Sequence, residues 1–333
     1  MISIVIPLYN KAHTIVNTLN TVINQTYKNF EVIIVNDGST DNGVKVIKEN
    51  FNDPRIKIIN QNNAGVSAAR NRGVDESCGE YIAFLDGDDE WHPEYLSTMY
   101  ELIKKYPHAG LFLCAGLTHN ADGSIGYRIA SKYEGKKCVI NFFENPEVFL
   151  HTSGTIVNKN LFYKTHRFII GMRQFEDKLA IHALALLTQT VYCGIPLTKY
   201  NGGIPGQLTQ LNRKDSKTVD SELLYFNMIM DDCYNAPHFN KFCPIFIQYN
   251  LRHYLKLILK QRNYMKLDYF FNHLSLRPKK LLNPLEIFIM KHHYSTLAVL
   301  WINFTKIRWR MRGYPYAGQK IKICVIDNKY LSW

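Results

Sequence analysis

The chain has 333 residues, 46% of them hydrophobic and 20% charged, a balance that belongs to a folded globular protein and excludes a disordered or fibrous one. Its formal charge of +12 is uneven: residues 1–240 carry 23 Lys and Arg against 25 Asp and Glu, whereas residues 241–333 carry 17 against 3. A neutral body with a basic end points to an anionic surface as partner, and without a nucleic-acid module that surface is expected to be a membrane face and not nucleic acid.

Ile2 to Ile6 has the unbroken apolar pattern of a parallel strand covered on both faces, broken by Pro7 and followed by Leu8, Tyr9 and Asn10. Asn10 is placed to cap a helix carrying Ile15, Leu19, Val22 and Ile23 at helical spacing. Phe30 to Val35 is the second strand; Asn36-Asp37-Gly38-Ser39 ends it, and Ser39, Thr40 or Asp41 is available to cap a helix with Val44 and Ile47 inward. Ile56 to Ile59 is a third strand, and Gly65 to Gly73 is a glycine turn leading into an alanine-rich helix. Tyr81 to Leu85 is the fourth strand. Strands alternating with helices across short connections predict a parallel sheet with right-handed crossovers. Every strand's C-terminal end is polar, so one sheet edge becomes a crevice, where ligands of open α/β sheets bind.

After a helix from about Pro93 to Tyr106 the rhythm changes. Leu111 to Cys114 reads as a strand, Asn120 to Gly123 as a hairpin tip, Thr152 to Val157 as a strand and Asn160 to Tyr163 as a short helix. Gly171 to Asp177 leads into a helix ending near Gln189, and Thr190 to Gly194 is a further strand. Tyr200 to Gln210, with Gly202, Gly203, Pro205 and Gly206, lacks periodicity and reads as a loop. From about Val219 the pattern is helical; Ile287, Met290, Tyr294, Leu297, Trp301 and Phe304 share one face of a segment from Leu285 to Arg312, which ends in Lys306, Arg308, Arg310 and Arg312 around Trp309. Seven cysteines lie scattered without a C-x-x-C pair, as expected of reduced thiols in a cytoplasmic setting, and nowhere do 18 apolar residues run together.

The stretch that organises the chain is Asp86-Gly87-Asp88-Asp89-Glu90, directly after the fourth strand. Carboxylates crowded into one turn repel one another unless something positive sits among them, and hard oxygen ligands suit Mg²⁺ or Mn²⁺. Trp91 and the histidines His151, His166 and His182 read as packing or surface residues, not as ligands.

With Ile4 to Asn10, Val35 to Asp41, Gly65 to Gly73, Leu85 to Asp89 and Glu176-Asp177 in this order, the chain resembles the inverting family 2 glycosyltransferases of the GT-A fold over roughly residues 1–210. The fold implied is α/β, Rossmann-like, with a mostly parallel sheet, helices on both faces and a C-terminal helical extension. Residues 1–110 would form the nucleotide-sugar-binding half, 111–212 the acceptor half and 213–333 the basic helical region. The resemblance implies a UDP-sugar donor, a saccharide or lipid-linked acceptor and a bacterial surface-polysaccharide setting. It implies that Asp88 binds Mn²⁺ or Mg²⁺, with Asp86 on the ribose or supporting the metal, and that Asp89 orients the turn. Asp37 would accept from the uracil imide, Tyr9 would flank the base, Pro7 would shape the pocket floor, and Arg70 would face the base or the phosphates. Asp177 would be the general base, since inversion by direct displacement needs a carboxylate beside the acceptor hydroxyl. Many family members place a histidine in the loop after the last strand; here that loop offers Gln207, Thr209 and Gln210, which leaves a third metal ligand open.

The basic, aromatic-bearing segment 285–312 has two readings: it suits an anionic bilayer surface, implying a peripheral position at the inner face of a cell membrane, or it packs its apolar face on the rest of the chain and solvates its basic end; the scarcity of acids favours the first. Two other classes compete. A catalytically silent nucleotide-sugar-binding protein is disfavoured by the intact Asp86, Asp88 and Asp177. A nucleotidyltransferase would need a glycine-rich basic loop after the first strand, where this chain has Pro7-Leu8-Tyr9-Asn10.

Overall fold

A computed structural model describes residues 1–144, 148, 150–203, 218–238, 240–292, 295–311, 326–331 and 333. The alternation read from the N-terminal sequence is realised as β1 (Ile2–Leu8), α1 (Ile15–Ile23), β2 (Phe30–Asp37), α2 (Gly43–Asn50), β3 (Ile56–Gln61), α3 (Val66–Asp75) and β4 (Tyr81–Phe84). These strands lie in the order β3-β2-β1-β4, all parallel. Their side chains alternate between two covered faces: Ile4, Ile6, Val32 and Ile34 enter one apolar cluster, while Val5, Ile33 and Val35 point to the other side. The helix α3 packs so closely on β1 that a Cβ on Gly73 would sit 2.3 Å from Val5 Cγ1. Gly65, at φ 91°, turns the chain into that helix in a conformation that favours glycine.

The sheet then becomes mixed. It continues from β4 through β9 (Thr155–Asn158), β6 (Ala109–His119), β10 (Gln189–Asn201) and β5 (Glu90–Trp91). The strand β9 runs antiparallel to both β4 and β6, whereas β6 and β10 are parallel. Hairpin strand β7 (Ile125–Arg128) adds to β6, and β8 (Lys137–Ile140) adds to β10. Both β6 and β10 exceed the short apolar runs that announced them, because pairing carries them on through polar residues. The long α4 (Tyr95–Lys105) buries Leu96, Met99 and Leu102; α5 (Lys159–Phe162) is a single turn, and α6 (Glu176–Leu187) follows.

Beyond the sheet come α7 (Thr218–Asn235), α8 (Phe242–Lys260), α9 (Tyr264–His273), α10 (Leu276–Lys279), α11 (Pro284–His292) and α12 (Ser295–Met311). One apolar cluster runs from Phe84 and Leu111 in the sheet through Leu184 of α6 to Phe226, Leu251 and Phe270 of these helices, so the helical region shares a core with the sheet. No helix among the described residues is long and apolar enough to cross a membrane.

Two local expectations are corrected. Asn10 does not cap α1: it stands at φ 51°, and its Oδ1 accepts from the backbone N–H of Thr40 (2.8 Å) and Asp41 (3.3 Å), while Thr14 precedes the first helical residue. The stripe from Ile287 to Phe304 is not one face either. The segment is two helices; Met290 and Trp301 turn inward, Trp301 Nε1 donates to the buried Glu286 (3.0 Å), and Phe304 is exposed. Arg312 and the side chains of Lys306, Arg308, Trp309 and Arg310 lie outside the described residues, as do Gln207, Thr209 and Gln210.

Candidate active site

The parallel strands end on one edge, and their polar ends meet there as the alternation demanded. Tyr9, just past β1, is 48% exposed and free to face a ligand, next to Pro7 at the strand's last turn. Asp37, the last residue of β2, is buried, and its carboxylate accepts from Gln61 Nε2 (2.8 Å), Ala64 N–H (2.9 Å) and Gly65 N–H (2.8 Å). It therefore fastens the turn that starts α3. A carboxylate offers about four lone-pair sites, so one remains for a further donor.

The acid turn is compact: Asp89 N–H donates to Asp86 O at 3.1 Å, and Thr14 Oγ1 donates to Gly87 O at 2.8 Å, tying the turn to the start of α1. Ser153, in the 3-10 turn Thr152–Gly154, clamps it from the other side. Its hydroxyl accepts from Asp86 N–H (3.1 Å) and donates to Asp89 (2.5 Å), and its carbonyl accepts from Trp91 Nε1 (2.6 Å). Trp91 is buried and stacked on Tyr95, so it is a packing residue as its sequence context indicated.

Each of the three aspartates faces its own basic side chain. Arg70 of α3 donates to Asp86 at 2.7 Å, Lys11 to Asp88 at 2.5 Å, and His151 Nε2 lies 3.2 Å from Asp89. Burial would raise the Asp86 pKa, but the Arg70 charge and hydrogen bond outweigh it and hold the carboxyl below its usual value. Burial raises Asp89, with the charges of Asp86 and Asp88 adding to it. Burial would lower His151, but the adjoining Asp89 carboxylate raises it above the ordinary histidine value. Sequence reasoning missed His151, which it read as a surface or packing residue, and did not weigh Lys11 or Ser153. Their partners lie 62–77 positions away along the chain, so no local pattern could announce them. His166 pairs with Asp232 at 2.8 Å near the surface. His182 sits in the core against Tyr225 Oη, where burial pushes it down to about 3.

Arg70 also reaches across the cleft. Its side chain is 5% exposed, and its second nitrogen lies 3.3 Å from Glu176 Oε1 at the start of α6. The guanidinium thereby joins the acid turn to the Glu176-Asp177 pair. Burial and the neighbouring Asp177 charge push Glu176 up to about 7 against the pull of Arg70. Phe175 enters α6 at φ 67°, with the Lys178 ammonium 4.1 Å from its ring centroid, and Asp177 Oδ1 accepts from Lys178 N–H at 2.7 Å. Glu176 and Asp177 stand in the first turn of α6.

Among the described residues no group of three or more His, Cys, Asp or Glu side chains is disposed to hold a metal by itself. Asp88 and Asp86 nonetheless supply hard oxygen donors, and Asp89 Oδ1 is buried without a hydrogen-bond partner. That set fits a hard divalent cation held by one or two carboxylates and completed by ligand phosphates. Asp88 also lines a cavity of about 320 Å³ with Thr14, Asn17, Thr18, Glu90 and Asn201.

A parallel sheet with an acid turn at its C-terminal edge, extended by a mixed half that brings a carboxylate pair to the same cleft, defines a GT-A-type α/β protein. The chain belongs to glycosyl transferase family 2, whose model matches residues 3–179. It is 43% identical over 106 residues to glycosyltransferase GlyA of Streptococcus pneumoniae, covering 32% of this chain and 15% of that one. A Rickettsia felis protein named as an uncharacterized glycosyltransferase is 26% identical over 313 residues, 92% of this chain and 48% of its own length. The chain thus spans less than half the length of these curated relatives. The crystal structure of Staphylococcus aureus TarS 1–349 in complex with UDP-GlcNAc superposes with a TM-score of 0.72 at 18% identity, covering 95% of this chain and 93% of that one, a likeness that establishes the fold.

Proposed function

We propose that this chain is an inverting glycosyltransferase that moves a sugar from a nucleotide-diphosphate donor, a UDP-sugar, to a hydroxyl of a saccharide or lipid-linked acceptor. The observation that carries the reading is the Arg70 bridge, which ties the acid turn to the Glu176-Asp177 pair and so joins a donor end and a base end in one cleft. The UDP-GlcNAc held by the TarS structure, a neighbour of the same fold, supports the donor class.

In this reading Tyr9 flanks the base, Pro7 forms the floor beneath it, and Asp37 offers its remaining lone pair to the base imide while holding the 61–65 turn in shape. Asp88 and Asp86 would hold Mn²⁺ or Mg²⁺, which when bound neutralises charge developing on the diphosphate. The guanidinium of Arg70 keeps Asp86 ionised for that task. Asp177 takes the proton of the acceptor hydroxyl as its oxygen forms the bond to the anomeric carbon. The bond from that carbon to the diphosphate oxygen breaks on the opposite face, and the electron pair leaves with the diphosphate, inverting the centre.

An anionic membrane is the proposed docking surface. Residues 276–312 contain eight Lys and Arg and a single acid, Glu286, which is buried against Arg252 at 2.7 Å. On α12, Leu300, Phe304 and Ile307 stand exposed at i, i+4 and i+7, and α11 adds exposed Leu285 and Phe288. A bacterial surface-polysaccharide pathway fits such a location.

The test is UDP release from a panel of UDP-sugars with Mn²⁺, alone and with acceptor oligosaccharides, comparing the parent chain with Asp177→Asn. A loss of about 10²–10⁴ in rate with UDP binding retained supports the base assignment. Equal rates in both proteins would remove Asp177 from that role.

A further inference from the structure

Of the three aspartates of the turn, Asp88 is paired with a cation on a flexible stem, as the neighbouring Glu90 is with Lys199 at 2.8 Å. Arg70 is locked between Asp86 and Glu176, and His151 is nearly buried against Asp89 with its ring edge-on to Tyr200. Lys11 instead projects from the segment before α1. Its stem crosses the acid turn: a Cβ placed on Gly87 would lie 3.7 Å from Lys11 Cγ. The ammonium lies 2.5 Å from Asp88 Oδ2, with the two side chains 15% and 10% exposed.

A hard divalent cation binds carboxylate oxygen at about 2.0–2.6 Å, so it and an ammonium in hydrogen-bond contact compete for the same oxygen and repel each other across it. Lys11 already offsets the charge of Asp88, so a metal ion arriving alone would meet an ammonium at the oxygen it needs. A metal ion arriving with a diphosphate brings its own negative charge, and the displaced ammonium then has anionic oxygens to turn to.

We infer that Lys11 is a displaceable counter-ion of the donor site: it holds Asp88 while the site is empty, yields that carboxylate when a metal-diphosphate enters, and transfers its charge to the diphosphate. This rests on the proposed nucleotide-sugar reading. The device makes metal and nucleotide bind together and keeps Asp88 from capturing free divalent ions. Lysine suits it because its ammonium is a point charge on a rotatable chain, which an arginine fork is not.

The experiment measures binding of Mn²⁺ alone by electron paramagnetic resonance, and of UDP in saturating Mn²⁺ by calorimetry. It uses the full chain and its Lys11→Met and Lys11→Arg variants, with Lys48→Ala as a surface control and thermal melts reporting folding. Lys11→Met is expected to bind free Mn²⁺ about tenfold more tightly than the parent and UDP with Mn²⁺ about tenfold more weakly. Lys11→Arg is expected to keep the weak binding of free Mn²⁺, which excludes a general effect of substitution. Unchanged Mn²⁺ affinity in a folded Lys11→Met, with UDP still bound by the parent, overturns the counter-ion role alone. Failure of the parent to bind UDP under any condition overturns the nucleotide-sugar reading and the handover with it.

Discussion

Replacing Arg70 by Met is the perturbation whose size the structure fixes best. The guanidinium is almost fully buried and serves Asp86 at 2.7 Å and Glu176 at 3.3 Å, so its removal leaves two carboxylates facing an apolar side chain. Breaking a buried pair by deleting one partner costs about 3–5 kcal/mol. Two features pull the cost to the lower end. Asp86 is 29% exposed, so water reaches it, and Glu176, already pushed up to about 7, neutralises itself by taking a proton once Arg70 no longer opposes that. The expected loss is about 3 kcal/mol near neutral pH, or roughly 5–10 °C in melting temperature. Because proton uptake supplies the relief, the loss should be smaller at pH 6 than at pH 8. Denaturant titrations of both proteins at these two pH values are the assay. A loss under about 1 kcal/mol that does not change with pH would refute the claim that Arg70 is the charge joining the two ends of the cleft.

Glu176→Gln gives a second test through linkage. A carboxyl raised to about 7 in the folded chain binds a proton that the unfolded chain has already released above its ordinary value, so its contribution is full at low pH and is lost as pH rises through 7. The stability of Glu176→Gln relative to the parent should therefore rise by roughly 2–3 kcal/mol between pH 5 and pH 8 in chemical denaturation; a flat difference would contradict the assignment. Gly73→Ala should be destabilising by about 1–3 kcal/mol, because the new methyl meets Val5, whereas Gly65→Ala meets no neighbour and suffers only from its positive φ. For the membrane surface, Leu300→Ser with Phe304→Ser should reduce flotation with vesicles containing phosphatidylglycerol while leaving the melting temperature nearly unchanged. Flotation equal to the parent at low salt would dismiss that face.

The fold was legible where burial on both faces writes itself as an apolar run. Ile2 to Ile6, Phe30 to Val35 and Tyr81 to Leu85 each became a central strand, and their polar followers became the cleft because parallel strands share one C-terminal edge. The acids of the site were visible for the same reason. Their partners were not. Lys11, His151 and Ser153 reach the acid turn from distant elements, and nothing in their own neighbourhoods distinguishes them from solvated residues. Asn10 shows the same limit: its position before an apolar helix signals a cap, yet the loop after β2 offered its side chain better donors. In the C-terminal segment the periodicity of Ile287 to Phe304 was real, but its residues fall in two helices, α11 and α12, with Trp301 turned inward onto Glu286 and Phe304 exposed.

The most direct measurement on the whole account is the affinity of the intact chain for UDP, by calorimetry, with Mn²⁺ and then with all divalent ions chelated, in the parent and in Asp88→Ala. Tight binding by the parent in Mn²⁺, weakened at least about tenfold by chelation and by Asp88→Ala alike, is the expected result. Equal affinity in all four conditions would mean that the acid turn holds no cation against a diphosphate, and the transferase reading would lose its chemical basis.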